Sequence, residues 1–303
     1  MNYTVSIPLP DFDIRSTLID SAQCFSWRAG DGGFLIALDD GAGTAAFRVS
    51  ALSGSGVPGP DTGATDASAL ATGVVVACVR PPVAEFWRNY FDAERDYGEL
   101  SERFGWHAQM AKALHSARGL RVLRQPAWDT LVSFILSANN NVGRITALVE
   151  KLSKHYGTCV EWAGMPLYAL PTAEQLSNAT EAELRALGCG YRAPFLVDTA
   201  ARVAHGFDLD GLRSVPYAEA HAALTTLKGV GDKVADCVCL FGLGHTCAFP
   251  VDVWVERLLI AWFDMGGLSR KQMARRAGEL LGDEAGLIQQ YLFHCARLGR
   301  IAL

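Results

Sequence analysis

The sequence has no apolar run long enough to cross a bilayer. Its richest stretch, Leu131 to Leu136, is far short of the roughly 20 residues a membrane helix needs. The start, Met1-Asn2-Tyr3, lacks the basic segment and apolar run of a secretory signal, so none is expected. Charge is scarce at 19% of residues, and positive charge is the scarcer sign, leaving a net charge of -5. This excludes a broad basic surface. Any contact with nucleic acid has to run through a few cations and backbone amides, with modest non-specific affinity and a gentle salt slope. The eight cysteines (Cys24, Cys78, Cys159, Cys189, Cys237, Cys239, Cys247 and Cys295) lack zinc or iron–sulfur spacing. Only Cys237, Cys239 and Cys247 cluster, and no fourth follows closely, so no iron–sulfur cluster and no metal ligand set is expected. At this length, scattered cysteines in apolar surroundings read as buried free thiols of a reducing compartment.

What is present is a large hydrophobic share, 50% of 303 residues, enough for two domains and against disorder. The first third reads as β-rich. Tyr3 to Ile7 alternates, and Phe34–Leu38, Ala45–Val49 and Val74–Val79 are short apolar runs between glycine-rich turns. Residues 53–68, mostly Gly, Ser, Pro, Thr and Asp, read as a surface loop. An aromatic-rich helix is predicted from Val83 to about Phe104. From about residue 116 the pattern becomes helical. Trp128, Leu131, Val132, Ile135 and Leu136 share one apolar face behind Pro126, and Val255, Leu258, Leu259 and Trp262 share another. The expected class is α+β by segregation, with an antiparallel sheet domain over 1–115 and a helical domain over 116–303.

The most informative stretch is Leu227-Lys228-Gly229-Val230-Gly231-Asp232-Lys233-Val234-Ala235-Asp236-Cys237. A helix from Tyr217 to Lys228 is predicted to end at Gly229, with a second starting near Asp232, giving a tight hairpin over about 217–243. Gly229 and Gly231 permit unusual backbone angles and close approach of another backbone. The free N–H groups at the second helix's start can hold a phosphate without side-chain charge. An ordinary helix–glycine–helix turn fits the same glycines. Lys233 adds to the pattern: in a cleft at a helix N-terminus the neutral amine is favoured, and that amine attacks a sugar carbon and forms a Schiff base. Such chemistry needs a carboxylate, and Phe249-Pro250-Val251-Asp252-Val253-Trp254 offers Asp252 just ahead of a helix. Asp252 also reads as a plain helix N-cap, and the two roles are compatible.

The hairpin followed by Pro-Val-Asp-Val resembles the helix-hairpin-helix signature of DNA glycosylases, and within that superfamily the 8-oxoguanine DNA glycosylases. Three further segments are similar to the same family: Gln23-Cys24-Phe25-Ser26-Trp27-Arg28, the triple-Asn run in Ser137-Ala138-Asn139-Asn140-Asn141-Val142-Gly143-Arg144, and Leu187-Gly188-Cys189-Gly190-Tyr191-Arg192-Ala193. The resemblance spans about 20–293 and implies a small sheet domain, TATA-box-binding-protein-like, packed on an all-α glycosylase domain. It implies Lys233 as nucleophile and Schiff-base amine, and Asp252 as its electrostatic and acid/base partner. Asn139 and its neighbour Asn140 would lie at the gap in the duplex, with Asn139 reading the orphaned cytosine. Arg144 and Arg192 would contact that cytosine, and Tyr191 would wedge into the stack. Cys237 and Phe293 would sandwich the extruded purine, and Gln289, one turn before Phe293, would bond its Watson–Crick edge. Gly229 and Gly231 would face the DNA backbone.

Two departures matter. Trp254 stands where the family has histidine, changing a phosphate or pocket contact. Ala22 stands where a family glycine offers its carbonyl to the oxidised base, a geometry that alanine keeps only if it accepts the same φ. The resemblance implies no required cofactor, a monovalent cation held by hairpin carbonyls, lesion-containing double-stranded DNA as partner, no membrane, and a monomer. In a bacterium, which the Ala- and Gly-rich composition fits, the place would be the cytoplasmic nucleoid. Two alternatives stay open: a monofunctional glycosylase for alkylated bases, against which Lys233 argues, and a non-catalytic hairpin module that binds DNA, which has no use for both Lys233 and Asp252.

Overall fold

The computed structural model describes residues 2–30, 32–52 and 70–302; the loop expected over 53–68 lies outside them. The N-terminal part forms a five-stranded antiparallel sheet from β1 (Tyr3–Phe12), β2 (Arg28–Gly30), β3 (Gly33–Asp39), β4 (Thr44–Leu52) and β5 (Ala71–Cys78), in the order β1-β5-β4-β3-β2. One face carries Ile7, Leu9, Ile36, Phe47, Val49, Val74 and Val76, all buried. They pack on Trp87, Tyr90 and Phe91, which α1 (Ala84–Tyr90) and its end supply.

The predicted helix over 83–104 is two helices, α1 and α2 (Gly98–Phe104), followed by α3 (Ala108–Ser116). Asp92 breaks it. Its φ is +47, left-handed, and Asp is among the few residues that visit that region. Its buried carboxylate accepts from Arg95 at 2.7 Å and Tyr97 at 3.1 Å and pairs with Arg124 at 2.6 Å. Two guanidinium groups and one hydroxyl hold a break that apolar spacing could not reveal.

The helical part contains α4 (Ala127–Ser137), α5 (Val142–Tyr156), α6 (Ala173–Ser177), α7 (Glu181–Ala186), α8 (Ala193–Ala204), α9 (Tyr217–Leu224), α10 (Asp232–Cys237), α11 (Val253–Phe263), α12 (Arg270–Leu281) and α13 (Ala285–Arg297). A π-helical run, Val238–Leu243, extends α10. Helix α4 is buried on all sides, Thr130 through Leu136 without interruption, rather than on the single face expected. Helix α9 ends at Leu224, four residues before the expected stop, and residues 225–229 form turns.

Between α5 and α6 lies an unforeseen hairpin, β6 (Cys159–Trp162) and β7 (Met165–Tyr168). Ala163 and Gly164 both have positive φ, the turn that suits the twist of a two-residue hairpin. Four-residue strands are too short for alternation to register. The hairpin covers the other face of the sheet: Trp162, Leu167 and Ala169 pack on Leu35, Ala37, Ala46 and Ala77. The sheet is thus enclosed between α1 and a hairpin from the helical part. The eight cysteines are free thiols, and all but three are buried; Cys159 is exposed, against expectation, because it opens the edge strand β6.

Candidate active site and DNA-facing surface

The hairpin between α9 and α10 places Lys233 in the first turn of α10, half-buried. Gly229 has φ +78, and a Cβ there would lie 2.4 Å from the Phe195 ring, so both backbone and packing require glycine. Gly231 is different: its φ is -92, and it faces open space. The close approach expected of both glycines therefore rests on conformation at Gly229 and on an unobstructed backbone at Gly231.

Lys233 Nζ donates to Ser137 Oγ at 3.1 Å and sits 4.8 Å from the centre of the Phe134 ring. Ser137 Oγ in turn donates to the Phe134 carbonyl at 2.7 Å. The C-terminal turn of α4 thus holds the amine, with the ring face attracting its cation. Ser137 and Phe134 carried no role in the sequence reading, although Ser137 opens the triple-Asn segment.

Asp252 caps α11, its Oδ1 accepting from Trp254 N at 3.0 Å and Val255 N at 2.9 Å. The cap reading is therefore right. Burial raises the Asp252 pKa, against the opposing pull of the Val255 amide, the Lys233 ammonium and the Trp254 amide. The Lys233 ammonium acts on the same carboxylate, so capping α11 is compatible with a partnership with Lys233. Cys237, one turn along α10, has its thiol pushed up to about 12 by burial, with Lys233 pulling it down and Asp236 and Asp252 adding to the rise. Lys233, Asp252 and Cys237 share one electrostatic neighbourhood.

Behind the hairpin, Tyr217 donates to Asp236 Oδ1 at 2.6 Å, and His221 Nε2 lies 3.7 Å from the same oxygen. This ties α9 to α10. Burial raises the Asp236 carboxyl to about 6.

On α13, Gln289 is buried and its Oε1 has no hydrogen-bond partner among the described residues. A buried amide oxygen left unpaired costs about 1–3 kcal/mol. Phe293 is half-buried against the same core that contains Cys237 and Ala22. Ala22 has φ +55, so the alanine does adopt the left-handed backbone that the family glycine would supply.

Asn139 is exposed at φ +49 with its amide 3.4 Å from the Tyr191 hydroxyl. That hydroxyl donates to the Ala138 carbonyl at 2.9 Å. Asn140 turns back to the Leu136 carbonyl at 3.1 Å. Arg144, on α5, is exposed and makes no ion pair among the described residues. Arg192 is buried where Arg144 is exposed. It is only 4% exposed, and its guanidinium donates to the carbonyls of Ala138, Asn139 (3.1 Å) and Cys189 (3.5 Å). Here it holds the Asn139 loop, and a base contact would require it to leave those carbonyls. Tyr191 is 46% exposed, between Arg192 (4.5 Å) and Phe195 (6.2 Å, edge-on), a protruding ring on a rigid footing. Trp254 is half-buried with Arg257 over its ring at 5.5 Å.

The exposed Asn139, Arg144 and Tyr191 lie on the elements around the Lys233–Asp252 neighbourhood. Comparison with known proteins gives this arrangement its family. The profile for HhH-GPD superfamily base excision DNA repair proteins matches residues 132–282. The chain belongs to this superfamily. The profile for the 8-oxoguanine DNA glycosylase N-terminal domain matches residues 4–131, so the two meet inside α4. An N-glycosylase/DNA lyase of Saccharomyces cerevisiae is 38% identical over 183 residues, 56% of this chain and 49% of the relative. A probable N-glycosylase/DNA lyase of Methanothermobacter thermautotrophicus is 29% identical over 317 residues, covering 96% of this chain and 95% of the relative. The chain thus spans about half the length of the yeast relative and nearly all of the archaeal one. Among solved structures, the 8-oxoguanine glycosylase/lyase of Clostridium acetobutylicum, in complex with double-stranded DNA containing cytosine opposite 8-oxoG, matches with a TM-score of 0.81. Identity is 29%, over 99% of this chain and 100% of that one.

Proposed function

We propose that this HhH-GPD protein is a bifunctional DNA glycosylase and β-lyase that excises 8-oxoguanine opposite cytosine. The observation that carries the reading is Lys233 in the first turn of α10, its amine fixed on Ser137 Oγ at 3.1 Å, with the Asp252 carboxylate near enough to feel its charge. A module that only binds DNA has no use for that pair.

The duplex would be opened by Tyr191, with Asn139 in the gap and Arg144 on the orphaned cytosine. The purine would enter between Cys237 and Phe293, where the unpaired Gln289 Oε1 meets its Watson–Crick edge. As the N-glycosidic bond breaks, its electron pair leaves with the base, and positive charge grows on the sugar. Asp252, ionised, stabilises that charge. A carboxyl with a raised pKa is also a better proton acceptor, so Asp252 can relieve Lys233 of a proton. The free Nζ forms the new bond to C1′, and the sugar ring opens to the Schiff base. Loss of a C2′ proton then expels the 3′ phosphate as the C3′–O bond breaks, nicking the strand. The hairpin amides and Gly231 would hold a phosphate, and Trp254 would face the same strand. The proposal includes a monovalent cation at the hairpin: the carbonyls of Thr225 and Val230 accept no backbone hydrogen bond among the described residues, the kind of donor such an ion takes. It would add positive charge beside that phosphate. We take the active species as a monomer.

Borohydride trapping tests the reading. A duplex with 8-oxoguanine opposite cytosine should give a covalent protein–DNA adduct, undamaged guanine none, and Lys233→Gln none on either. Strand nicking retained in full by Lys233→Gln would refute it.

A further inference from the structure

The carbonyls around Ala22 are distributed unevenly. That of Asp20 accepts from Arg297 Nη2, and that of Ser21 from Gln290 Nε2 at 2.9 Å. That of Gln23 accepts from Gln125 Nε2 at 2.7 Å. The Gln23 side chain is itself fixed, donating to Arg121 O at 2.8 Å and accepting from Leu123 N at 2.8 Å. The Ala22 carbonyl, in the middle, accepts nothing among the described residues. Ala22 is buried, in the cluster that holds Cys237 and against which Phe293 packs. Its φ of +55 is one an alanine leaves unless its surroundings over-determine it.

The donors on the N-terminal side of Ala22 both come from α13, the helix that also carries Gln289 and Phe293. Arg297 bridges the two roles, with its guanidinium 6.0 Å from the Phe293 ring centre. From this we infer that Gln290 and Arg297 are positioning residues for lesion specificity: they hold Ala22 left-handed so that its carbonyl stays free to accept from the extruded base. This rests on the function proposed above. It gives a physical reason why alanine can stand where the family has glycine. Cross-links from α13 supply the bias that a glycine would supply by lacking a Cβ, and they register the carbonyl against the helix that grips the base. A base with an N–H at the facing edge gains a hydrogen bond there; one with a bare acceptor meets a second acceptor and loses.

The test compares Gln290→Leu, Arg297→Met and the double variant with the unmodified protein in two single-turnover assays. One measures release of 8-oxoguanine opposite cytosine. The other measures borohydride trapping on a duplex carrying a preformed abasic site, which needs Lys233 but no base recognition. The expected result is loss of base release by ~5- to 100-fold, the range for one hydrogen bond to a substrate N–H, with trapping within about twofold of the unmodified protein. Adding Ala22→Gly to Gln290→Leu should recover at least about threefold of that loss, since glycine holds positive φ without a clamp. Unchanged base release, equal loss in both assays with unaltered melting, or no recovery on adding Ala22→Gly would overturn the inference. Failure of the unmodified protein to release 8-oxoguanine, with trapping intact, would instead remove the function on which it rests.

Discussion

Replacing Gly229 by alanine isolates the physical demand of the hairpin. At φ +78 an L-residue costs roughly 1–2 kcal/mol, partly offset by about 0.4–1 kcal/mol from the stiffer unfolded chain. The added Cβ would stand 2.4 Å from Phe195 Cδ2, 2.5 Å from Cγ and 2.8 Å from Cβ. The third atom is close to the backbone, so a rotation of the ring does not clear the clash, and overpacking of this kind adds about 1–3 kcal/mol. The expected net loss is about 2–4 kcal/mol, read as a lowered urea midpoint at unchanged slope by tryptophan fluorescence. Gly231→Ala is the control: with negative φ and open space it should cost under about 1 kcal/mol, the exchange of one N-cap residue for a poorer one. Made in a Phe195→Ala background, Gly229→Ala should lose the clash with the ring but keep the 2.8 Å contact with Cβ, so its cost should fall only part of the way towards about 1 kcal/mol. Because Phe195 meets the Tyr191 ring edge-on, Gly229→Ala should also weaken DNA binding through the displaced wedge. A loss below about 1 kcal/mol for Gly229→Ala, or equal losses for the two glycines, would refute the reasoning.

Asp252→Asn should keep the cap, since Asn accepts the same amides, and leave stability within about 1 kcal/mol while base release falls ~10²- to 10⁴-fold. As burial raises the Asp252 pKa, the acid limb of the unmodified protein's rate should rise with pH above the ordinary carboxylate range, and the variant should lack that limb. Arg192→Met should cost about 2–3 kcal/mol in urea unfolding, because the carbonyls of Ala138 and Asn139 lose a charged donor; a loss below about 0.5 kcal/mol would show that the Asn139 loop does not depend on it. His294, fully buried on α13, has its pKa lowered to about 4 by burial, with Arg300 and Arg297 adding repulsion. Between pH 6.5 and about 4 the unfolded chain binds more protons there than the folded one, so this contribution to stability is present above pH 6.5 and is lost as pH falls through that window. His294→Leu should make the melting temperature less sensitive to acid over the same range, and an unchanged pH profile would count against it.

The sheet strands were legible in the sequence because each is a run of apolar or alternating residues between glycines. The hairpin was legible because the positive φ at Gly229 is a demand local to its own backbone. The positions of Lys233 and Asp252 followed from helix starts, which are short-range features. Other parts were not legible. The break at Asp92 depends on Arg124, brought in from another segment, and the β6–β7 hairpin is too short to leave a period. Nor was the burial of Arg192 legible, whose donors turn to carbonyls more than fifty positions away. Ser137 meets Lys233 across 96 positions, and Gln290 meets Ser21 across 269. Local propensity and spacing act over a few residues, so the sequence by itself settled most of the longer elements and the groups at the starts of α10 and α11. Desolvation and hydrogen-bond pairing are settled only when distant segments close on one another, so the tertiary structure alone decided that burial raises the Asp252 pKa and that the Ala22 carbonyl has no partner among the described residues.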